Sequence, residues 1–425
     1  MHKILTIINE LQKQPKKQDG AVLMVMLMIL VVGASALLLN SLNNSSMKAL
    51  RDQKTAEALA QAKDALISYA INSENSGPAL SARPGNFPCP DRDAPGAAGY
   101  GDEESSCSSG GLTSIRRLPW KSLSIAEPVD GDGEPLWYVL SDNFRKATSI
   151  INSDSVGSLQ VYDRDGTTLL TPLGAEAVAI IFAPGVALSG QNRSTNIATC
   201  PMTSTSMQEN LCASNYLETS NSRNNASSTG PFITANKSNA FNDRMIIIRA
   251  RDFMPSIEKR IAKQLLKILD NYRIANTFYP YPASLGSCTN NTNCNSLDTN
   301  CRGRFPYSSQ ITIPPVTPNW SGSYALPKTP SSNWFVDNFW YRVIYYSVGT
   351  SSLAATPAGC SLTLDVSAAS KSTLLIMPGT PQAGITRNYP NSNLNWYFED
   401  TENTNLDDIY VTPSINSNDQ LYALP

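Results

Sequence analysis

The sequence predicts an α+β protein: a long N-terminal, membrane-spanning helix leads into two tandem units, each a helix followed by an antiparallel sheet. Three observations predict it. An uncharged apolar run extends from Ala21 to Leu39, an amphipathic helical pattern continues from it, and the second half of the chain repeats the first.

The apolar run AVLMVMLMILVVGASALLL comes directly after a short leader that carries Lys3, Lys13, Lys16 and Lys17 and ends at Gly20. A helix of this length is about 28 Å long, close to a bilayer core of about 30 Å. Lysines on the N-terminal side keep that end in the cytoplasm and send the chain beyond Leu39 across the membrane. From Asn40 to Ile71 there is no proline or glycine, and Ala56, Leu59, Ala62, Leu66 and Tyr69 recur at three- and four-residue spacing. That is one stripe of an amphipathic helix. The two segments together predict one helix of about 50 residues, on the order of 75 Å.

The repeat organises the remainder of the chain. Leu66–Ile71 matches Leu269–Ile274, each closing an amphipathic pattern; the second runs through Ile257, Ile261, Leu265 and Leu269 and predicts a helix over 256–272. Phe87-Pro88-Cys89-Pro90 answers Tyr279-Pro280-Tyr281-Pro282, and Arg117-Leu118-Pro119-Trp120 answers Arg304-Phe305-Pro306-Tyr307. Pro135–Ser141 is echoed by Phe339–Ser347 as an aromatic strand. Ala179–Arg193 lies over Leu374–Arg387, with Pro184-Gly185, Gly190 and Arg193 at the same spacing as Pro378-Gly379, Gly384 and Arg387. Tyr216-Leu217-Glu218 answers Tyr397-Phe398-Glu399, and Asn242–Ile246 answers Asp407–Val411. Apolar runs that stop at Pro-Gly read as buried strands ending in turns, and the later glycine as a second turn of positive φ. Arg193 with Glu218, and Arg387 with Glu399, are expected as equivalent ion pairs. The expected divisions are 1–20 leader, 21–39 apolar helix, 40–72 its amphipathic continuation, 73–252 first head and 253–425 second head.

Composition narrows the chemistry. Charged residues are 16% and the net charge is −2, which with no long basic run gives no ground for nucleic-acid binding. The one histidine is His2, in the leader, so Ser-His-Asp, Cys-His and His-zinc chemistry are excluded from the chain that remains once the leader is removed. The expectation is a non-enzymatic protein. The cysteines are eight, Cys89, Cys107, Cys200, Cys212, Cys288, Cys294, Cys301 and Cys360, all beyond the apolar run and with no CxxC pair. They read as disulfides formed outside the cytoplasm. Short loops favour Cys89–Cys107 and Cys200–Cys212; the other four allow three pairings.

A basic leader ending in glycine, with the hydrophobic helix immediately after it (KKQDG then AVLMV), resembles the type IV prepilin class. Gln18 and Asp19 stand where that class usually has a basic residue, and Val25 stands where its major subunits have glutamate. The second departure points to a minor pilin or pseudopilin. Over the heads, LPWKSL (118–123), APGVALSGQNR (183–193), YLE (216–218) and FNDR (241–244) are similar to motifs of large prepilin-like subunits of type IV pilus and type II secretion systems. The resemblance implies cleavage by prepilin peptidase between Gly20 and Ala21 and methylation of the Ala21 amine. It implies residence in the inner membrane with the heads periplasmic or extracellular, and assembly with other pilin or pseudopilin subunits at or near a filament tip. The rival reading is a signal-anchored periplasmic or surface protein with adhesin-like heads and no filament role.

Two further features suggest sites. Asp130-Gly131-Asp132-Gly133-Glu134 alternates acids with glycines, so Asp130, Asp132 and Glu134 are candidate calcium ligands, with an ordinary turn as the other reading. Calcium occurs in the heads of pseudopilins, which the resemblance brings with it. Trp334, Phe335, Phe339, Trp340 and Tyr341 form an aromatic cluster that suits either a core or a carbohydrate- or partner-binding face.

Overall fold

The computed structural model describes residues 19–73, 82–105, 107, 115–145, 149–201, 206–286, 294–296, 300–309, 320–330, 332–349, 352–354, 360–365, 367–382, 384–385, 387, 393–414 and 417–425. By compactness the chain divides into Met1–Lys54 and Thr55–Pro425. His2, the leader lysines, Gln18 and Cys288 lie outside the described residues.

Helix α1 is Asp19–Asn72, 54 residues without a proline. Gly20 and Ala21 lie in its first turn. The expected membrane-spanning helix does not stand: among the described residues no helix is long and apolar enough to cross a membrane. The side chains of most of 21–43 lie outside the described residues, and from Ser45 onward charges recur at Lys48, Arg51, Asp52, Lys54 and Glu57. That later segment is amphipathic, and its charges are costly in hydrocarbon.

Within Thr55–Pro425 the buried stripe of α1 is Thr55, Ala58, Leu59, Ala62, Leu66 and Ala70. The expected Leu59, Ala62 and Leu66 are in it; Ala56 is exposed and Tyr69 is half-buried, its hydroxyl donating to Glu103 at 3.0 Å. A 3.6-residue repeat carries the stripe to 58 and 70 instead.

Two four-stranded antiparallel sheets come next, each with its strands in chain order. The first is β1 (Arg116–Arg117), β2 (Trp137–Leu140), β3 (Ala177–Ala183) and β4 (Arg244–Arg249). Helix α2, Met254–Asn276, begins with Pro255 in its first turn and ends at Thr277, φ +73°. The second sheet is β5 (Arg302–Arg304), β6 (Tyr345–Val348), β7 (Thr373–Met377) and β8 (Gln420–Leu424).

The repeat is visible in register. Trp137 pairs with Phe182 and Tyr345 with Ile376, so β2 is matched by β6 two residues further on than an alignment on Ser141 and Ser347 would place it. The last anchor moves more. The strand beside β3 starts at Arg244 and the strand beside β7 at Gln420. The true counterpart of Asn242-Asp243 is therefore Asn418-Asp419, and not Asp407-Asp408. Ile409–Tyr410 instead pairs in parallel with Thr363–Leu364, as Phe232–Ile233 pairs in parallel with Val161–Tyr162.

The expectation of two heads in series is also corrected. Central strands β3 and β7 are buried along their whole length. Their alternate residues face two ways, Ile181 and Ala183 or Leu375 and Met377 on one side, Ile180 and Phe182 or Leu374 and Ile376 on the other. The first sides of both sheets meet the stripe of α1 and the Ile257, Ile261, Leu265 and Leu269 stripe of α2 in one hydrophobic cluster. Neither sheet has a helix to itself, because each is covered by apolar stripes that the other also uses. The second sides are closed over separately by loops carrying Tyr216, Leu217 and Phe232, and Leu394, Tyr397 and Phe398.

Cys89–Cys107 and Cys200–Cys212 form as expected, and Cys301–Cys360 settles one of the open pairings. Cys294 is disulfide-bonded with a partner outside the described residues. Cys301–Cys360 ties β5 to a segment 59 residues on, against 12 for Cys200–Cys212. Loop-closure entropy then predicts a loss of about 4 kcal/mol for Cys301→Ser/Cys360→Ser and about 3 kcal/mol for Cys200→Ser/Cys212→Ser, read by denaturant unfolding of the two double variants.

Candidate functional site

The repeat concentrates its polar side chains at one place in each half, the corner where a central strand stops. Gly185 (φ +66°) and Gly379 (φ +63°) turn the chain out of β3 and β7. A Cβ on Gly185 would lie 2.9 Å from the Asn242 amide, and one on Gly379 2.3 Å from that of Asn418, so both turns require glycine for space as well as for φ. Gly190 and Gly384 have positive φ too, as expected from their spacing.

The turn exposes carbonyls inside the protein, and an arginine meets them in each half. Arg193 donates from Nε to the Asn215 carbonyl and from Nη1 to Gly185, both at 2.9 Å, and lies 4.3 Å from the centre of the Tyr216 ring. Arg387 donates from Nε to the Trp396 carbonyl and from Nη1 to Gly379, both at 2.8 Å, and from Nη2 to Pro378 at 2.9 Å; its guanidinium lies 5.0 Å from the Tyr397 ring. The planar fork suits several converging carbonyls, which a lysine would not reach together.

The expected ion pairs are absent, because the glutamates are already occupied. Glu218 Oε2 accepts the amides of Asn242 and Asp243 at 3.0 and 3.1 Å, while Asp243 Oδ2 accepts the amide of Glu218 at 2.9 Å. Glu399 Oε2 accepts the amide of Asn418 at 3.1 Å, and Asp419 Oδ2 accepts the amide of Glu399 at 2.9 Å. Each carboxylate pair staples the loop to the start of the next strand. A second staple repeats as well: Asn225 exchanges two hydrogen bonds with the backbone of Ile233, and Asn403 two with Val411. Burial, reinforced by the neighbouring Glu218, pushes Asp243 well above the carboxylate range. Burial and the charge of Glu399 push Asp419 up to about 8.

Arginine counter-charges come from elsewhere. Arg193 pairs with Glu134 at 2.8 Å. Arg387 pairs at 3.2 Å with Asp154, which belongs to the first half. Of the candidate calcium ligands, Asp130 accepts amides from Asp132 and Glu134 at Oδ1 and from Gly185 at Oδ2, so it serves as a turn hub that reaches the corner. Among the described residues no three His, Cys, Asp or Glu side chains gather as a metal site would require.

The aromatic cluster belongs to the core. Trp334, Phe335, Trp340 and Tyr341 are at most 1% exposed, on the short helices α3 (Trp334–Asp337) and α4 (Trp340–Val343), and Phe339 between them is half-buried against the same core. Among the described residues two cavities adjoin the corners. One of about 410 Å³ touches Ala56, Leu59, Asp243 and Arg244; the other, about 290 Å³, touches Glu176, Arg249, Gln382 and Glu399. The sequence missed the staples, since Asn225, Asn403 and the Asn418-Asp419 pair are ordinary polar residues until the fold brings them to backbone amides.

Compared with known proteins, the chain matches no family model, no curated protein and no solved structure.

The corners differ in burial: the Arg387 side chain is 1% exposed and that of Arg193 10%. Arg387→Ala orphans more carbonyls and strands Asp154, so it is expected to cost on the order of 3–5 kcal/mol, against roughly 1–3 kcal/mol for Arg193→Ala. Chemical denaturation of the two variants checks the order.

Proposed function

We propose that this chain is a non-enzymatic pilin-like subunit of a type IV pilus or a type II secretion pseudopilus. It is cut by prepilin peptidase between Gly20 and Ala21, methylated on Ala21, and built in at or near the filament tip. Its partners are that peptidase, the inner membrane that receives it before assembly, and other pilin or pseudopilin subunits. The observation that carries the reading is in α1. Met24, Met26, Leu27, Met28, Leu30 and Val31 are each between 54% and 72% exposed. Burying a large apolar side chain is worth about 1.5–3 kcal/mol, so six on one helix call for a cover, and helices of neighbouring subunits supply one. The leader layout supports the cleavage site, and the disulfides agree with export to an oxidising compartment.

The test is the mass of the N-terminal peptide after co-expression with a prepilin peptidase, beside a Gly20→Val control. The expected result is a start at methylated Ala21 that the substitution abolishes. A leader retained from Met1 in both proteins would overturn the proposal.

A further inference from the structure

The two halves meet along a polar seam inside Thr55–Pro425. Asn338 accepts at Oδ1 from Arg83 (2.8 Å) and from the amide of Ile151 (2.9 Å), and its carbonyl accepts from Asn152 (2.9 Å). The Ser153 hydroxyl donates to Glu258 of α2 at 2.5 Å. Asp154 pairs with Arg387, and the Gly384 amide donates to the Leu173 carbonyl at 3.0 Å.

The charges along this seam do not balance. Asp154, Glu258 and Asp419 all face the guanidinium group of Arg387; Arg304 also faces Asp154, and the half-buried Glu399 faces Asp419. Glu258 and Arg304 are fully buried, Asp419 is 6% exposed and Arg387 7%. Glu258 Oε2 and Asp419 Oδ1 have no hydrogen-bond partner among the described residues. Three carboxylates against the two guanidinium ions would still leave net negative charge at the seam, where an unpaired buried carboxylate is costly. A proton on a carboxyl oxygen removes that cost.

We propose that the seam is a proton-held clasp: Glu258 and Asp419 carry protons when it is shut, and their ionisation loosens the joint between the 149–155 loop and the 378–387 corner. The groups that face Glu258 are Ser153 and Asp154 from the loop, Arg387 from the corner and Tyr422 from β8; those facing Asp419 are Glu399, Ser417 and Arg387. Burial raises Glu258 to about 7, against the pull of Ser153 and Arg387, and Asp419 to about 8. Both lie above the values these groups have in an unfolded chain. The clasp is therefore fully stabilising below about pH 4 and loses its contribution as pH rises through about 7 to 8. The device is independent of the filament reading: it needs only the seam.

Hydrogen exchange on the full chain tests it, with amide protection of 149–155 and of Gly379, Thr380 and Gln382 corrected for the intrinsic pH dependence of exchange and compared between pH 6 and pH 9. The expected result is a fall of about tenfold or more in the wild type, at one pKa unit per factor of ten, and a much smaller fall in Glu258→Gln/Asp419→Asn. Ser153→Ala, which removes a hydrogen bond that favours the ionised Glu258, moves the midpoint of the fall to higher pH. Constant protection in the wild type, or an equal fall in the double variant, overturns the proposal. If the double variant does not fold, the direction of the Ser153→Ala shift decides in the same way.

Discussion

A strand buried on both faces must end somewhere, and where it ends its last carbonyls lie in the interior with no neighbouring strand to receive them. The rest of this fold depends on how β3 and β7 meet that constraint. Both stop at Pro-Gly, and in both an arginine inserts its fork beneath the turn and donates to its carbonyls, partly buried in the first half and buried in the second. An unpaired buried carbonyl costs about 1–3 kcal/mol, so the corner is among the strongest local determinants of the chain path. Once the arginine is fixed, the next loop passes its Tyr-x-Glu segment over the guanidinium, and the glutamate of that segment pins the two residues before the next strand. Strand end, arginine, aromatic ring, glutamate and new strand form one chain of dependence in each half.

The two copies solve the same problem with different counter-charges, and the difference explains why they fold as one unit. In the first half Glu134 comes from the turn that precedes β2, local to the corner. In the second half the buried Arg387 takes Asp154 from the first half. A buried guanidinium without its carboxylate is costly, so the second corner draws its counter-charge from the first half. The apolar interior obeys the same logic, because the stripes of α1 and α2 are buried together against both sheets. Covalent duplication has led here to interlocking, in which one half lends both apolar cover and charge to the other.

Much of this was legible in the sequence wherever a local pattern reflects a local cause. The α2 stripe, the buried runs before Pro-Gly, the positive φ of Gly190 and Gly384, and two short-loop disulfides depend on residues close in sequence. The reading failed where the cause is long-range. Asp407-Asp408 resembles Asn242-Asp243 in composition, yet the loop from Glu218 to Asn242 is longer than that from Glu399 to Asn418, and only the bonds from glutamate to backbone reveal the true partners. Opposite charge suggested pairing Arg193 with Glu218, but the lone pairs of that carboxylate were already engaged by amides. The helix shows the same division: its continuity and its stripe at Leu59, Ala62 and Leu66 come from the 3.6-residue repeat, whereas a membrane-spanning segment is not found among the described residues.

The corners also bear on what kind of protein this is. A reactive carboxylate pair keeps oxygens free toward a cleft, where a substrate or water meets them. Here the paired acids of both halves direct oxygens at backbone amides, four of the five aromatic-cluster side chains that would suit a sugar-binding face are buried in the core, and Asp130 turns inward to hold Gly185. Their polar chemistry is directed at keeping two interlocked sheets shut. The large apolar side chains left exposed among the described residues include Met24, Met26, Leu27, Met28, Leu30 and Val31 of α1. Apolar surface is satisfied by area and shape, without reactive groups, so what this arrangement favours is packing against other helices. An interior closed by its own polar groups, in one chain with the exposed apolar side chains of Met24, Met26, Leu27, Met28, Leu30 and Val31, is the combination on which the assembly proposal rests.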